Sequence, residues 1–351
     1  MTLRLRTLLT ATAAAATLLA VGLPATQAQA QTANKYKSEY RMSLVLGTAF
    51  PWGQGGQLWA DKVRERTDGR INIKLYPGTS LVQGDQTREF SAIRQGVIDM
   101  AVGSTINWSP QVKALNLFSL PFLFPDYAAV DAVVQGDTGK EIFKALDKAG
   151  VQPLAWGENG YREISNSKHA ITQPADLKGL KVRVVGSPLF LDTFTALGAN
   201  PTQMSWADAQ PAMASKAVDG QENPLAVYQA AKLQSVGQNH ITLWGYMNDP
   251  LIFVVNKEVW ASWTPEDREI VRQAAIDAGR EEIAIARKGL VEEGKPLVKD
   301  LQALGVTVTD LDAAQRKAFA DATRSVYTKW KPQIGTPLVD MAEKAIAARK
   351  Q

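Results

Sequence analysis

"YRMSLVL" (residues 40–46), "QLWADKVRERT" (57–67) and "INIKLYPG" (71–78) follow one another at the front of the chain, and their order decides the fold. The first and third are short apolar runs bounded by Gly47 and by Pro77 and Gly78, which predicts strands. The second sets Leu58, Trp59 and Val63 toward a core and is closed by Gly69, which predicts a helix. "GTAFPWGQGG" (47–56) lies between them; its glycines lack the dinucleotide-loop spacing and read as a turn easing into the helix. "DQTREFSAIRQG" (85–96) supplies a second helix and "VIDMAVG" (97–103) a third strand. A β-α-β-α-β opening predicts an α/β fold with largely parallel sheets.

Later segments keep the alternation. "VQPLAWG" (151–157), "YREISNS" (161–167) and "KVRVV" (181–185) read as strands, "PLFLDTFTALG" (188–198) and "ADAQPAMAS" (207–215) as helices. "HITLWGY" (240–246) and "LIFVVN" (251–256) are again strand-like, with "YMNDP" (246–250) as the turn between them. From Thr264, a helix cap followed by Pro265, the pattern predicts a helix through "EDREIVRQAAIDAGREEIAIARKGLVEEG" (266–294), long enough to brace two lobes. "VTVTD" (306–310) is one more strand, and two helices finish the chain.

Arg4 and Arg6 precede the apolar stretch "LLTATAAAATLLAVGLPA" (8–25), and Ala28 and Ala30 offer a small-residue cleavage site. Residues 1–30 therefore read as a signal peptide, which places the protein in the periplasm. Without the two arginines, 37 basic side chains face 35 acidic ones, so the sequence pI of 9.0 is no argument for nucleic acid. No later apolar run is long enough to span a bilayer. About 320 remaining residues exceed what one hydrophobic core organises, which predicts two domains. There are no cysteines.

Catalytic signatures are scarce. Two histidines, His169 and His240, stand without ligand-like neighbours, and the chain has no nucleophile elbow, zinc-protease motif, phosphate loop or calcium loop. No cofactor or metal is expected, and an enzyme is disfavoured.

Polar groups instead collect where strands end, the place at which open α/β sheets bind ligands. "WGENGYREISN" (156–166) carries Arg162, "LKGLKVRVVGSPLF" (177–190) carries Arg183, and "KAVDGQENPLAVYQAAK" (216–232) carries Asn223. A planar guanidinium holds a carboxylate through two parallel bonds, and an amide adds a donor. Set against that are a solvated edge charge for Arg183, an ion pair with Glu158 or Glu163 for Arg162, and a turn-forming role for Asn223. Trp52, Trp108 and Trp206 lie in loops near strand ends and offer flat faces for a ring. Asp85, at the start of the second helix, could reach ligand hydroxyls.

Across essentially the whole chain after residue 30 the sequence resembles the solute-binding proteins of tripartite ATP-independent periplasmic (TRAP) transporters. The motifs are "GRINIKLYPGTSL", "IRQGVIDMAVGS", "LPFLFPD", "NGYREISNS", "DLKGLKVRV", "LGANPTQMSWADA" and "VDGQENPLA", in the family's order and spacing. The resemblance implies a two-lobed periplasmic binding protein, each lobe a mostly parallel sheet flanked by helices. The expected division is residues 31–158 with about 249–288 in one lobe, and 159–248 with about 289–351 in the other. It further implies that Arg183 clamps the ligand carboxylate, that Arg162 and Asn223 belong to the pocket, and that membrane subunits receive the ligand. Ser104 stands where sialic-acid-binding members carry an acid, which argues against that ligand. The expected ligand is a uronate such as glucuronate or galacturonate, with four-carbon dicarboxylates and aromatic acids as alternatives. A periplasmic carboxylate-dependent enzyme or a sensor are the competing classes.

Overall fold

The computed structural model describes residues 36–349; the signal-peptide reading of residues 1–30 lies outside them. Eleven strands form two sheets. They are β1 (Tyr40–Ser43), β2 (Ile73–Tyr76), β3 (Met100–Ser104), β4 (Val151–Tyr161), β5 (Glu163–Asn166), β6 (Lys181–Val184), β7 (Asn200–Gln203), β8 (Gly220–Asn223), β9 (His240–Leu243), β10 (Asn248–Asn256) and β11 (Thr307–Asp310). The first sheet has the order β2-β1-β3-β10-β4 and the second β11-β9-β5-β8-β6-β7.

One strand in each sheet runs against the rest, β10 in the first and β5 in the second. The chain crosses between sheets where each of these begins. β4 passes through Arg162 directly into β5, and β9 passes through residues 244–247 into β10. A strand that leaves one sheet and enters the other without turning back arrives antiparallel. "YMNDP" is accordingly not a hairpin turn: β9 and β10 never pair, and Asn248, Asp249 and Pro250 already belong to β10.

β10 shows why its sequence does not alternate in polarity. All nine residues are buried, with Ile252 and Val254 facing Phe90, Trp108 and Phe118, and Leu251, Phe253 and Val255 facing Trp59, Trp263 and Val271. A strand covered on both faces is apolar throughout. The second sheet is covered likewise, by Phe190, Phe194 and Phe319 on one side and Met213, Tyr228 and Leu301 on the other.

The first helix begins at Pro51, inside the stretch expected to be a turn, and runs to Arg66. Its glycines serve close packing: a Cβ on Gly53 would lie 2.0 Å from the Gly47 carbonyl, and one on Gly55 would lie 2.4 Å from the Glu282 side chain. The expected second helix is shorter, a 3-10 turn Gln86–Arg88 leading into Glu89–Arg94.

The long helix is Pro265–Arg287, and Gly289, at φ +78°, follows its end. Its buried residues Val271, Ala274, Ala275 and Ala278 belong to the first lobe's core, so it lies along the first sheet and not across both. It meets the crossing at its far end, where Arg287 pairs with Glu158 and Asp131 and Glu282 accepts from the Glu158 N–H at 2.8 Å. The side-on tie between lobes is the helix Arg324–Ile334. Val326 and Ile334 join the first lobe's core against the segment Lys113–Ser119, while Trp330 and Lys329 bond Asp192 in the second. The closing helix Thr336–Ala348 also packs on the first lobe's side through Val339 and Ala342, although residues 289–351 were expected with the second.

Candidate ligand-binding site

Between the sheets, the carboxyl ends of strands from both lobes meet around a small cavity of ≈ 20 Å³. The first lobe contributes Ser104 at the end of β3, Trp52 in the first turn of the first helix, Gln86, and Asn159 from β4. The second contributes Arg183 at the end of β6, Asn223 at the end of β8, and Trp206 at the start of the helix after β7. Arg162 and Asp249 stand where the chain crosses.

Arg183 is not an edge charge. β6 lies between β8 and β7, and the side chain is 1% exposed. Its Nε and Nη2 donate to the Met204 carbonyl at 3.0 and 2.7 Å, and its guanidinium sits 5.8 Å from the Trp206 ring centre. Among the described residues no carboxylate forms an ion pair with it. Burial pushes its pKa down to about 10, an effect Glu222 only partly offsets. A buried cation without a counter-ion is stabilised by an anion brought against it.

Arg162 is the opposite case. It donates from Nε and Nη2 to the Glu222 carboxylate and from Nη1 to Asp249 Oδ2 at 3.2 Å. Burial alone would lower its pKa, but the Glu222 charge and hydrogen bonds and the Asp249 charge raise it above the ordinary value. Neither carboxylate named as a possible partner takes part: Glu158 pairs with Arg287, and Glu163 accepts from the Trp244 and Gly245 N–H groups. Asp249, which the sequence reading missed, also accepts from Ser104 Oγ at 2.6 Å and from Asn159 at 2.9 Å. Asn223 lines the cavity, its amide bonded to Gln221.

Two expected residues lie elsewhere. Asp85 caps the 3-10 turn by accepting from the Thr87 N–H and hydroxyl, and its neighbour Gln86 takes the cavity position. Trp108 is fully buried in the first lobe's core, its Nε1 donating to Glu89 at 3.0 Å and its ring against Phe90. Trp52 also donates to the protein, to the Val102 carbonyl at 2.6 Å, yet keeps a face on the cavity.

Glu89, bonded to Ser43 and Trp108, has its pKa pushed up to about 7 by burial. The unfolded chain releases this proton near pH 4.5 and the folded one only near 7. The folded state therefore binds the extra proton in that window, and its contribution to stability falls as pH rises through it. Urea midpoints at pH 5 and pH 8 should differ less in Glu89→Gln than in the parent protein; an equal difference would contradict this assignment.

The lobes are shut in this structure. Gln86 Nε2 donates to Asn107 at 2.7 Å within the first lobe, and its Oε1 accepts from the Trp206 N–H at 2.9 Å across the cleft. Ser109 and Ser187 hydroxyls meet 3.4 Å apart nearby. Among the described residues, no cluster of three or more His, Cys, Asp or Glu could hold a metal, and no helix is long and apolar enough to cross a membrane.

Residues 42–333 match the family described as bacterial extracellular solute-binding protein, family 7. The 2,3-diketo-L-gulonate-binding periplasmic protein of Escherichia coli K12 is 34% identical over 278 residues, 78% of this chain and 82% of that protein. A TRAP periplasmic solute-binding protein from Ralstonia eutropha H16, solved with bound (S)-2-acetolactate, is 73% identical. It superposes with a TM-score of 0.89 over 90% of this chain and 100% of its own. Another from Chromohalobacter salexigens, solved with D-glucuronate, is 26% identical with a TM-score of 0.80, covering 87% of this chain and 99% of its own.

Proposed function

Because the chain belongs to the family 7 extracellular solute-binding proteins of TRAP transporters, we propose that it captures a small 2-hydroxy-3-oxo monocarboxylate of the 2-acetolactate kind and passes it to membrane subunits. The observation that carries this reading is Arg183, a buried guanidinium that lacks a carboxylate partner and faces the inter-lobe cavity. The ligand carboxylate binds Arg183. Asp249, held by Ser104, Asn159 and Arg162, accepts from a ligand hydroxyl, and Asn159 and Asn223 serve the carbonyl side. Trp52, Ile106 and Trp206 supply apolar walls for a methyl or acetyl group.

Two observations favour a compact acid over the uronate expected from sequence. The 73% identical Ralstonia protein holds a five-carbon acid, whereas the glucuronate-bound protein is 26% identical. The shut cavity also has bulky walls on both lobes, Trp52 and Ile106 on one and Trp206 and Val185 on the other, which crowd a pyranose ring more than a short branched acid. Thermal shift and titration calorimetry with 2-acetolactate, glucuronate, galacturonate, succinate and an aromatic acid test the reading. At a hundredfold excess over Kd the preferred ligand should stabilise the protein by about 2.7 kcal/mol. Tighter binding of a uronate than of 2-acetolactate would reject it, and turnover of any of these acids would favour an enzyme.

Gln86 is the latch of this closure. Gln86→Ala removes one inter-lobe hydrogen bond, worth about 1 kcal/mol net, so calorimetry should show about fivefold weaker binding. An unchanged Kd would mean that the Trp206 N–H bond plays no part in holding the closed form.

A further inference from the structure

A cavity of ≈ 610 Å³ does not touch Arg183; it opens on the opposite side of the crossing strands. Its floor is the crossing itself, with Tyr161 and Glu163 from one strand pair and Leu243 and Trp244 from the other. One wall is first-lobe, with Asp126 and Tyr127 at the start of the helix Tyr127–Gln135, while Phe122 packs edge-on against Trp244 of the floor. The facing wall is second-lobe, with Leu290, Lys295, Val298 and Arg316.

Aromatic and aliphatic groups dominate this space, and its charges are unevenly matched. Lys295 and Arg316 share a single carboxylate, Asp310, at 3.0 and 2.8 Å. The Arg316 Nε–H is buried and has no hydrogen-bond partner. Two cations on one carboxylate, with about half of each side chain exposed, leave room for a second anion. Glu163 lines the same space, but burial pushes its pKa up to about 7 and its Oε2 is taken by the Trp244 and Gly245 N–H groups at 2.8 and 3.0 Å, so near neutral pH it opposes a second anion only in part. Asp126, on the opposite wall, is paired with Arg349. A volume of this size accommodates a small molecule.

We propose that this hinge-side cavity is a second binding site, for a small aromatic monocarboxylate, and that its occupation favours closure of the lobes. The carboxylate meets Arg316 and Lys295, and the ring lies against Phe122 and Trp244. The coupling follows from the hinge. The cavity walls belong to different lobes on the far side of the crossing strands from the cleft, so opening the cleft drives them together. A molecule that fills the space when the cleft is shut therefore resists opening.

Phenylacetate is a suitable probe. Calorimetry on the whole protein should show saturable binding of phenylacetate alone, and binding should persist, and tighten, when the Arg183 cleft is saturated with its own ligand. By linkage, saturating phenylacetate should tighten the cleft ligand by the same factor. Arg316→Ala, at a half-exposed side chain, should weaken phenylacetate at least tenfold and leave the cleft ligand's own Kd unchanged, with circular dichroism confirming the fold. Ala313→Trp, which fills the cavity from its rim, should block phenylacetate. Absence of saturable binding, displacement of phenylacetate by the cleft ligand, or an unchanged Kd in Arg316→Ala would each overturn the proposal. None of these outcomes depends on which acid the cleft prefers.

Discussion

Arg183→Ala should yield a folded protein that no longer binds its acid. Truncating one side of a buried charge-assisted pair costs about 2–5 kcal/mol, roughly thirty- to several-thousand-fold in Kd. Arg183→Lys keeps the charge but loses the fork, and the Met204 carbonyl then holds an ammonium that cannot make two parallel bonds to a carboxylate; binding should fall at least about tenfold. The fold should survive both changes, because Arg183 has no counter-ion to orphan. Burial depresses its pKa to about 10, a desolvation penalty set against the closed form. On the proposed reading a ligand carboxylate relieves that penalty and so favours closure. Removing the cation should therefore leave the ligand-free melting temperature at or above the parent's. Calorimetry and thermal melts on the two variants decide it: a folded Arg183→Ala protein with near-parental Kd would return Arg183 to a structural role.

How much of this was legible beforehand follows the range of the interactions involved. Arg183 could be singled out because a charge inside "KVRVV" conflicts with its own neighbours. β10 was legible as a strand from "LIFVVN", but the sheet it joins was not, since turn chemistry at "YMNDP" is local and strand pairing is not. Trp52 and Trp108 look alike in sequence, each just after a strand. What separates them is Glu89, an acid buried nineteen residues from Trp108 that draws its indole into the core. Arg162 posed the same difficulty: the nearby acids Glu158 and Glu163 were the obvious partners, yet β5 lies beside β8 in register and brings Glu222 in from 60 residues away. Asp249 did carry a signal, an acid just ahead of the buried apolar run Leu251–Val255.

That network should also be where the fold is most easily broken. Glu222 is fully buried on β8, between β5 and β6, and accepts from Arg162 and from the Tyr246 hydroxyl at 2.9 Å. Glu222→Ala leaves the Arg162 guanidinium with Asp249, at 3.2 Å, as its only carboxylate beside the residue 222 backbone carbonyl at 2.7 Å, and frees the Tyr246 hydroxyl in the core. Breaking a buried pair from one side costs about 3–5 kcal/mol, most of it the cost of the charge left behind. Arg162→Ala should cost as much, because it orphans both Glu222 and Asp249. The double variant should cost clearly less than the two single losses added together, since one stranded charge is then gone. Urea unfolding with an unchanged slope measures all three. The contrast with Arg183 is the point of the comparison: two buried arginines bordering one cavity, one whose loss should remove binding and spare the fold, the other whose loss should destabilise the fold. Single-variant costs below about 1 kcal/mol, or strict additivity, would mean that water reaches Arg162 and that the pair is not the tie between β5 and β8.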